Sequence, residues 1–202
     1  MGTEFELKYR AAEQTISAIR EEIPGQEVLL QMQTTYYDCV DGSLSARHWT
    51  LRRRLENGTS ICTLKTPGNG SERQEWEVES DSITEAIPEL CKLGCPEALL
   101  SFAQTGLTAI CGAQFQRIAK TIRFQGSLLE LALDRGVLMG GSHKLPLCEI
   151  EVELKEGNQA DCQTFAEDLA RRYRLTPEPI SKFGRAIALY RGKSHGNIWR
   201  IF

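Results

Sequence analysis

Nowhere in these 202 residues do the roughly 18 consecutive apolar side chains of a membrane-spanning helix occur, so a helical membrane protein is excluded. The opening residues Met-Gly-Thr-Glu-Phe-Glu-Leu-Lys lack the basic start and apolar stretch of a secretory signal, and a cytoplasmic location is expected. Histidine is scarce: His48, His143 and His195 are scattered over expected turns and tail, which argues against a histidine-built metal centre. For the same reason no Ser/His/Asp or Cys/His set for covalent catalysis is evident. The seven cysteines are odd in number and irregular in spacing, and Cys91 and Cys95 are four apart, so neither a disulfide scaffold nor a CxxC metal or redox motif is indicated. Reduced thiols are expected, with Cys39, Cys62 and Cys148 as small buried hydrophobes on strands. Positive charge is not in excess: 24 Lys and Arg stand against 27 Asp and Glu, a net charge of −3, which excludes a nucleic-acid binder that works by bulk charge. There is no repeat and no low-complexity tract. What is present is 41% hydrophobic residues, enough for one compact domain, expected over residues 1–190 with a tail at 191–202.

Hydrophobic periodicity predicts strands at 3–9, 28–38, 49–55, 60–65, 72–79, 114–124, 128–134 and 147–155. Asp41-Gly42, Asn57-Gly58, Pro67-Gly68-Asn69-Gly70 and Gly140-Gly141 read as turns between strands. Helices are predicted at 11–22, where Ile16, Ile19 and Ile23 share a stripe before Pro24-Gly25, and at 82–102, interrupted by Pro88 and Pro96. Two more follow at 160–173, carrying Phe165, Leu169 and Tyr173, and at 181–191. Strands, a helical insert, more strands and closing helices describe an α+β fold with antiparallel pairing.

Side chains on a strand alternate between faces, so parity sorts the charges. Glu4, Glu6 and Lys8 share one face against Phe5, Leu7 and Tyr9. Arg52 and Arg54 lie against Leu51, Arg53 and Leu55; Thr63 and Lys65 against Cys62 and Leu64; Arg73, Glu75, Glu77 and Glu79 against Trp76 and Val78. Glu130, Ala132 and Asp134 lie against Leu129, Leu131 and Leu133, and Glu149, Glu151, Glu153 and Lys155 against Ile150, Val152 and Leu154. Any one of these strands could simply be half-buried with a wet outer face. Taken together, the polar faces hold almost nothing but full charges, in blocks of one sign that would repel on an open sheet. A closed barrel with the charges inside and the apolar face covered by helices accounts for both features. Its lumen would pair carboxylates, which suit hard cations such as Mg²⁺ or Mn²⁺, with Arg and Lys, which suit phosphate oxygens.

Glu4-Phe5-Glu6-Leu7-Lys8 matches the ExExK signature of the CYTH superfamily, the triphosphate tunnel metalloenzymes. Further pieces follow in that family's order: Tyr36-Tyr37-Asp38, Leu51-Arg52-Arg53-Arg54, Thr63-Leu64-Lys65, Arg73 with Glu75, Glu130 to Asp134, Cys148 to Glu153, and Ser181-Lys182. The chain resembles that family from residue 3 to about 190. The resemblance implies a closed eight-stranded antiparallel tunnel, covered by helices, that hydrolyses a triphosphate with Mg²⁺ or Mn²⁺. It implies metal ligation by Glu4, Glu6, Asp134, Glu149 and Glu151. Catalytic roles fall to Glu4, Glu6, Lys8 and Glu75. Phosphate binding falls to Lys8, Arg52, Arg54, Lys65, Arg73, Arg117, Arg123, Lys182 and Arg185. One strand departs from the pattern: Lys120-Thr121 stands where many members carry adjacent basic residues, and by parity Arg117 and Arg123 face away from Lys120, so either a bulge re-aims Lys120 or Arg117 and Arg123 do the phosphate work. Arg123 is favoured there for phosphate. Glu77 and Glu153 have the right parity and equally suit structural ion pairs. The expected substrate is inorganic tripolyphosphate, cut to pyrophosphate and phosphate by a monomer or homodimer that engages neither nucleic acid nor membrane. The alternatives within the family are a class IV adenylate cyclase and a thiamine triphosphatase, and outside enzymes a polyphosphate- or nucleotide-binding module.

Overall fold

A computed structural model of the chain describes residues 5–68 and 73–192, with Arg73 defined in its backbone only. The strands are β1 (Glu6–Arg10), β2 (Gln26–Cys39), β3 (Thr50–Glu56), β4 (Thr59–Pro67), β5 (Arg73–Glu79), β6 (Leu107–Phe124), β7 (Ser127–Gly140), β8 (His143–Glu156) and β9 (Thr176–Pro177). The helices are α1 (Glu13–Glu22), α2 (Ser43–Ala46), α3 (Ile83–Lys92), α4 (Ala98–Gln104), α5 (Gln159–Tyr173) and α6 (Lys182–Tyr190). One antiparallel sheet runs in the order β5-β4-β3-β2-β6-β7-β8-β1-β9. Eight strands stand where periodicity places them, and β9, two residues long, adds a ninth that the sequence does not signal. The sheet curls into a tunnel, yet no ladder among the described residues joins β5 to β9, so hydrogen bonding leaves the wall open along one seam.

Parity decides which face goes where. On β1, β7 and β8 the apolar residues Tyr9, Leu129, Leu131, Leu133, Ile150 and Val152 pack under α1 and α5, which contribute Ile16, Ile19, Cys162, Ala166 and Leu169. On β3 to β5 the outer Leu51, Cys62, Leu64 and Trp76 pack under α3 and α4 through Ile83, Ile87, Leu90 and Leu99. The helices predicted at 11–22, 82–102 and 160–173 therefore do cover the convex side. The helix α3 runs through Pro88 without a break, because a proline costs one backbone bond there, and the chain turns instead at Gly94, whose φ is +91°.

The last helix, α6, differs from the others by lying on the concave face. Ala186, Ile187 and Leu189 pack with Met32 and Tyr36 of β2, Ala113 and Phe115 of β6, Leu138 of β7 and Leu147 of β8. Close approach is possible because Gly140 has no side chain: a Cβ there would collide with the backbone of Ala186 and Tyr190. The strands β7 and β8 also extend past the predicted ends. The Gly140-Gly141 turn is present, with Gly141 at φ +58°, but the ladder continues to its very edge at Gly140 and His143.

Candidate active site

The charged face predicted from parity points into the curl. Opposed pairs across the ladders run Lys8 with Glu151 and Glu6 with Glu153 between β1 and β8, Arg117 with Asp134 between β6 and β7, and Asp134 with Glu149 between β7 and β8. On the other wall Tyr36 lies opposite Arg52, Arg52 opposite Thr63, Thr63 opposite Glu77 and Lys65 opposite Glu75.

The deepest group is a block of carboxylates and cations midway along β6 to β8, at the start of α6. Asp134 and Glu149 are wholly buried and Glu151 is 9% exposed. Oxygen atoms of these three lie within 4.8 Å of one another. Arg117 makes a two-pronged bond to Asp134, Nε to Oδ1 and a terminal nitrogen to Oδ2, both at 2.8 Å, and also donates to Glu151. Lys182, the first residue of α6, sends its Nζ to Asp134 Oδ2 at 2.8 Å, to Glu151 Oε1 at 2.7 Å and to Glu149 Oε1. Its placement follows from local sequence: the Ser181 side chain caps α6 by accepting from Gly184 N at 3.0 Å, which starts the helix at Lys182. Arg185, one turn on, donates to Glu149.

Burial and charge compete at each of these groups. Burial disfavours the Lys182 ammonium, but Asp134, Glu151 and Glu149 outweigh it and raise its pKa above the ordinary lysine value. Burial likewise opposes the Arg117 cation, and Asp134 and Glu151 more than restore it. Burial opposes charge on Glu151 too, and Lys182 and Arg117 reverse this, holding its carboxyl well below the usual range. At Glu149 burial wins over Lys182 and Arg185, and its carboxyl is raised.

The facing wall is wetter. Lys65 Nζ lies 2.7 Å from Glu75 Oε2, Arg52 lies 3.7 Å from both Glu75 and Glu77, and Arg54 lies 3.4 Å from Glu56. Glu77 accepts from Thr63 Oγ1 at 2.8 Å. The Nε atoms of Arg52 and Arg54 are buried, and no acceptor lies within hydrogen-bond distance of either among the described residues. Burial and the neighbouring Arg52 lower the pKa of Arg54, against the opposing effect of Glu56 and Glu77. The two walls face one another: Arg117 of β6 also acts on Arg54, and both Arg52 and Lys182 act on the buried Tyr36 phenol. The Tyr36 ring packs 4.9 Å from that of Phe183 on α6.

Of the residues singled out in the sequence, Asp134, Glu149, Glu151, Arg117, Lys182 and Arg185 come together on one wall, and Arg52, Arg54, Lys65, Glu75 and Glu77 on the other. Glu6 and Lys8 pair at 3.0 Å on β1, nearer the open side. Glu153 pairs with Lys155 at 2.8 Å. Glu4 lies outside the described residues, as does the side chain of Arg73, whose backbone is opposite Pro67. Arg123, favoured over Arg117 from the sequence, sits exposed beside the β6–β7 hairpin and makes no ion pair among the described residues; Arg117 occupies the carboxylate block instead. Lys120 faces outward, as parity requires, with no bulge to re-aim it: its Nζ donates to the carbonyls of Arg20 at 2.5 Å and Ile23 at 2.7 Å, closing the C-terminus of α1.

Two participants escaped the sequence reading. Glu178, 2% exposed, lies 3.6 Å from Arg185 and 3.3 Å from Arg10, and its own amide donates to the Lys8 carbonyl at 2.8 Å. Arg10 simply continues the period-two series of Glu6 and Lys8 and was readable from parity; Glu178, alone between prolines, carried no such signal. Asp38 has the opposite history. Quoted in the resemblance, it proves structural: its carboxylate accepts from the amides of Cys39, Leu44 and Ser45 at 2.8, 2.9 and 3.2 Å and anchors α2.

The family model for the CYTH domain matches residues 2–187, and the chain belongs to that family. The inorganic triphosphatase of Haemophilus influenzae is 32% identical over 142 residues, 69% of this chain and 40% of that protein, so the matched segment spans less than half of the relative. Among solved structures, HpAC1 of Hippeastrum, an adenylyl cyclase candidate with a dominant triphosphatase activity, superposes with a TM-score of 0.63 at 18% identity, covering 95% of this chain and 97% of that one. The PH1819 protein of Pyrococcus horikoshii OT3 superposes with a TM-score of 0.55 at 20% identity, covering 89% of this chain and 96% of that one. At such identities these two structures establish the shared fold.

Proposed function

We infer that the chain hydrolyses a triphosphate in this tunnel, with inorganic tripolyphosphate as the substrate. The observation that carries the reading is the pairing of two sets of side chains in one lumen: Arg52, Arg54 and Lys65 on one wall, and Asp134, Glu149 and Glu151 on the other. A polyanion threaded between the walls would meet the guanidinium groups and ammonium that phosphate recognition uses, with carboxylates opposite to hold a divalent ion. The Haemophilus relative, named an inorganic triphosphatase, supports the same choice.

In this reading Arg52, Arg54 and Lys65 clamp the phosphate oxygens, Arg by its planar fork and Lys as a point charge, and Glu75 keeps Lys65 and Arg52 in place. Asp134, Glu149 and Glu151 form an all-oxygen donor set within 4.8 Å, the chemistry that hard divalent ions require, so the residues fit Mg²⁺ or Mn²⁺. A bound ion there supplies charge neutralisation on the phosphoryl oxygens. Water attacks the terminal phosphorus in line. Its proton passes to Glu6, whose charge Lys8 balances, as the bond to the bridging oxygen breaks and pyrophosphate leaves. Tyr36 stays a phenol, because burial raises its pKa, and presents no negative charge to the anion.

Tripolyphosphate, ATP and thiamine triphosphate offered side by side with Mg²⁺ or Mn²⁺, with products identified, test the proposal. Orthophosphate and pyrophosphate from tripolyphosphate, formed faster than from the other two, is the expected result. Cyclic nucleotide from ATP would mean a cyclase, and no turnover of any of them a binding module.

A further inference from the structure

Lys182 stands where a divalent ion would have to go. Its Nζ is 2.8 Å from Asp134 and 2.7 Å from Glu151 and touches Glu149, the same three side chains whose oxygens gather within 4.8 Å. Ammonium and metal would compete for the same lone pairs, and two like charges in so small a buried space repel strongly. Arg117 and Arg185 take further oxygens of the same carboxylates. Three buried anions are thus already matched by three cations. A divalent ion added to that block would leave two positive charges uncompensated, away from water. The block accepts metal only if a cation leaves it, and a cation leaves only for another anion. Lys182 is suited to leave: it ends on a single flexible stem at the first position of a helix, whereas Arg117 is fixed by two parallel bonds to Asp134.

We propose that Lys182 is a place-holder for the metal, released from the carboxylates onto the phosphate chain when the substrate enters, so that metal and triphosphate bind as a coupled pair. The proposal rests on the triphosphate reading above for the identity of the anion that draws Lys182 away. It makes Lys182 more than a phosphate-binding residue: without substrate it keeps the carboxylate block neutral and metal-poor. Coupling is reciprocal, so metal also strengthens the hold on triphosphate.

The test is Mn²⁺ binding, read from the free-ion paramagnetic resonance signal, with the full chain as wild type, Lys182→Gln and Lys182→Arg and no phosphate present. Lys182→Gln is expected to bind Mn²⁺ about tenfold or more tightly than wild type, while Lys182→Arg, which keeps the charge, stays weak. Equal affinity in wild type and Lys182→Gln overturns the proposal. A measurement on wild type alone guards against a variant that does not fold. After rapid desalting, Mn²⁺ should remain with the protein when imidotriphosphate is present and be lost when it is absent; equal retention overturns the proposal. Tripolyphosphate turnover by wild type is scored separately. Turnover with unchanged Mn²⁺ affinity removes the place-holder and leaves the triphosphatase reading, and tighter Mn²⁺ binding in Lys182→Gln without turnover does the reverse.

Discussion

At the scale of single residues, identical chemistry serves different ends according to which side of the sheet it occupies. Arg52, half-buried, and Lys120, buried, are both cations on strands, but one faces the lumen beside Glu75 and Glu77 and the other closes a helix end. Arg52→Ala is therefore expected to raise KM for tripolyphosphate by about tenfold to a hundredfold, the worth of a charge-assisted bond, with a smaller change in kcat; steady-state kinetics check this. Asp38→Ala should behave in the opposite way. It strips three amides of their acceptor, so a loss of roughly 2 kcal/mol in denaturant unfolding is expected, with KM unchanged. The sequence marked both residues as part of one pattern, and only the hydrogen-bond partners separate their roles. The choice between Arg117 and Arg123 was hidden for a similar reason: the two share a face, and distance along β6 from the carboxylates, which parity does not encode, decides between them.

At the scale of elements, the period-two pattern put the charges of β1, β3, β4, β5, β7 and β8 on one face and named the helices that cover the other. What it did not convey lies where the chain departs from simple alternation. The helix α2 is four residues long and held by Asp38 and Asp41, so it has no periodicity to read. The strand β9 spans two residues and is fixed by β1. The far halves of β6, β7 and β8 carry no inner charges because α6 covers the inner face there, packing on Ala113, Phe115, Leu138 and Leu147. The seat of α6 depends on Gly140. Gly140→Ala places a methyl group against the helix backbone, and overpacking of this kind costs about 1–3 kcal/mol. Since α6 carries Lys182 and Arg185, that substitution should lower both the melting temperature and tripolyphosphate turnover. A calorimetric melt beside an activity assay checks the pair of effects.

For the whole molecule, the fold gathers charge inside and leaves helices to bury the apolar outer surface. Such an interior ties stability to pH. Glu151 is held well below the ordinary carboxylate range by Lys182 and Arg117 against the opposing effect of burial. Its contribution to stability is complete above the ordinary pKa and is lost as the pH falls through the lowered one. Glu149, raised by burial, has the opposite sign: its contribution is complete in acid and fades as the pH rises through its raised value. Glu151→Gln should accordingly flatten the fall in unfolding free energy on acidification, seen in denaturant titrations from about pH 5 downward. A slope identical to wild type would mean that Glu151 is not the ionised partner in the block.

The central claim is that one lumen holds both the metal, on Asp134, Glu149 and Glu151, and the triphosphate, on Arg52, Arg54 and Lys65. Crystals grown with Mn²⁺ and imidotriphosphate test it most directly through the anomalous signal of the ion. A single strong Mn²⁺ peak against those three carboxylates is expected, with phosphate density against the guanidinium groups of Arg52 and Arg54 and Lys182 moved off the carboxylates onto phosphate. Mn²⁺ and the phosphate chain bound on the convex surface, with the lumen unchanged, would contradict it.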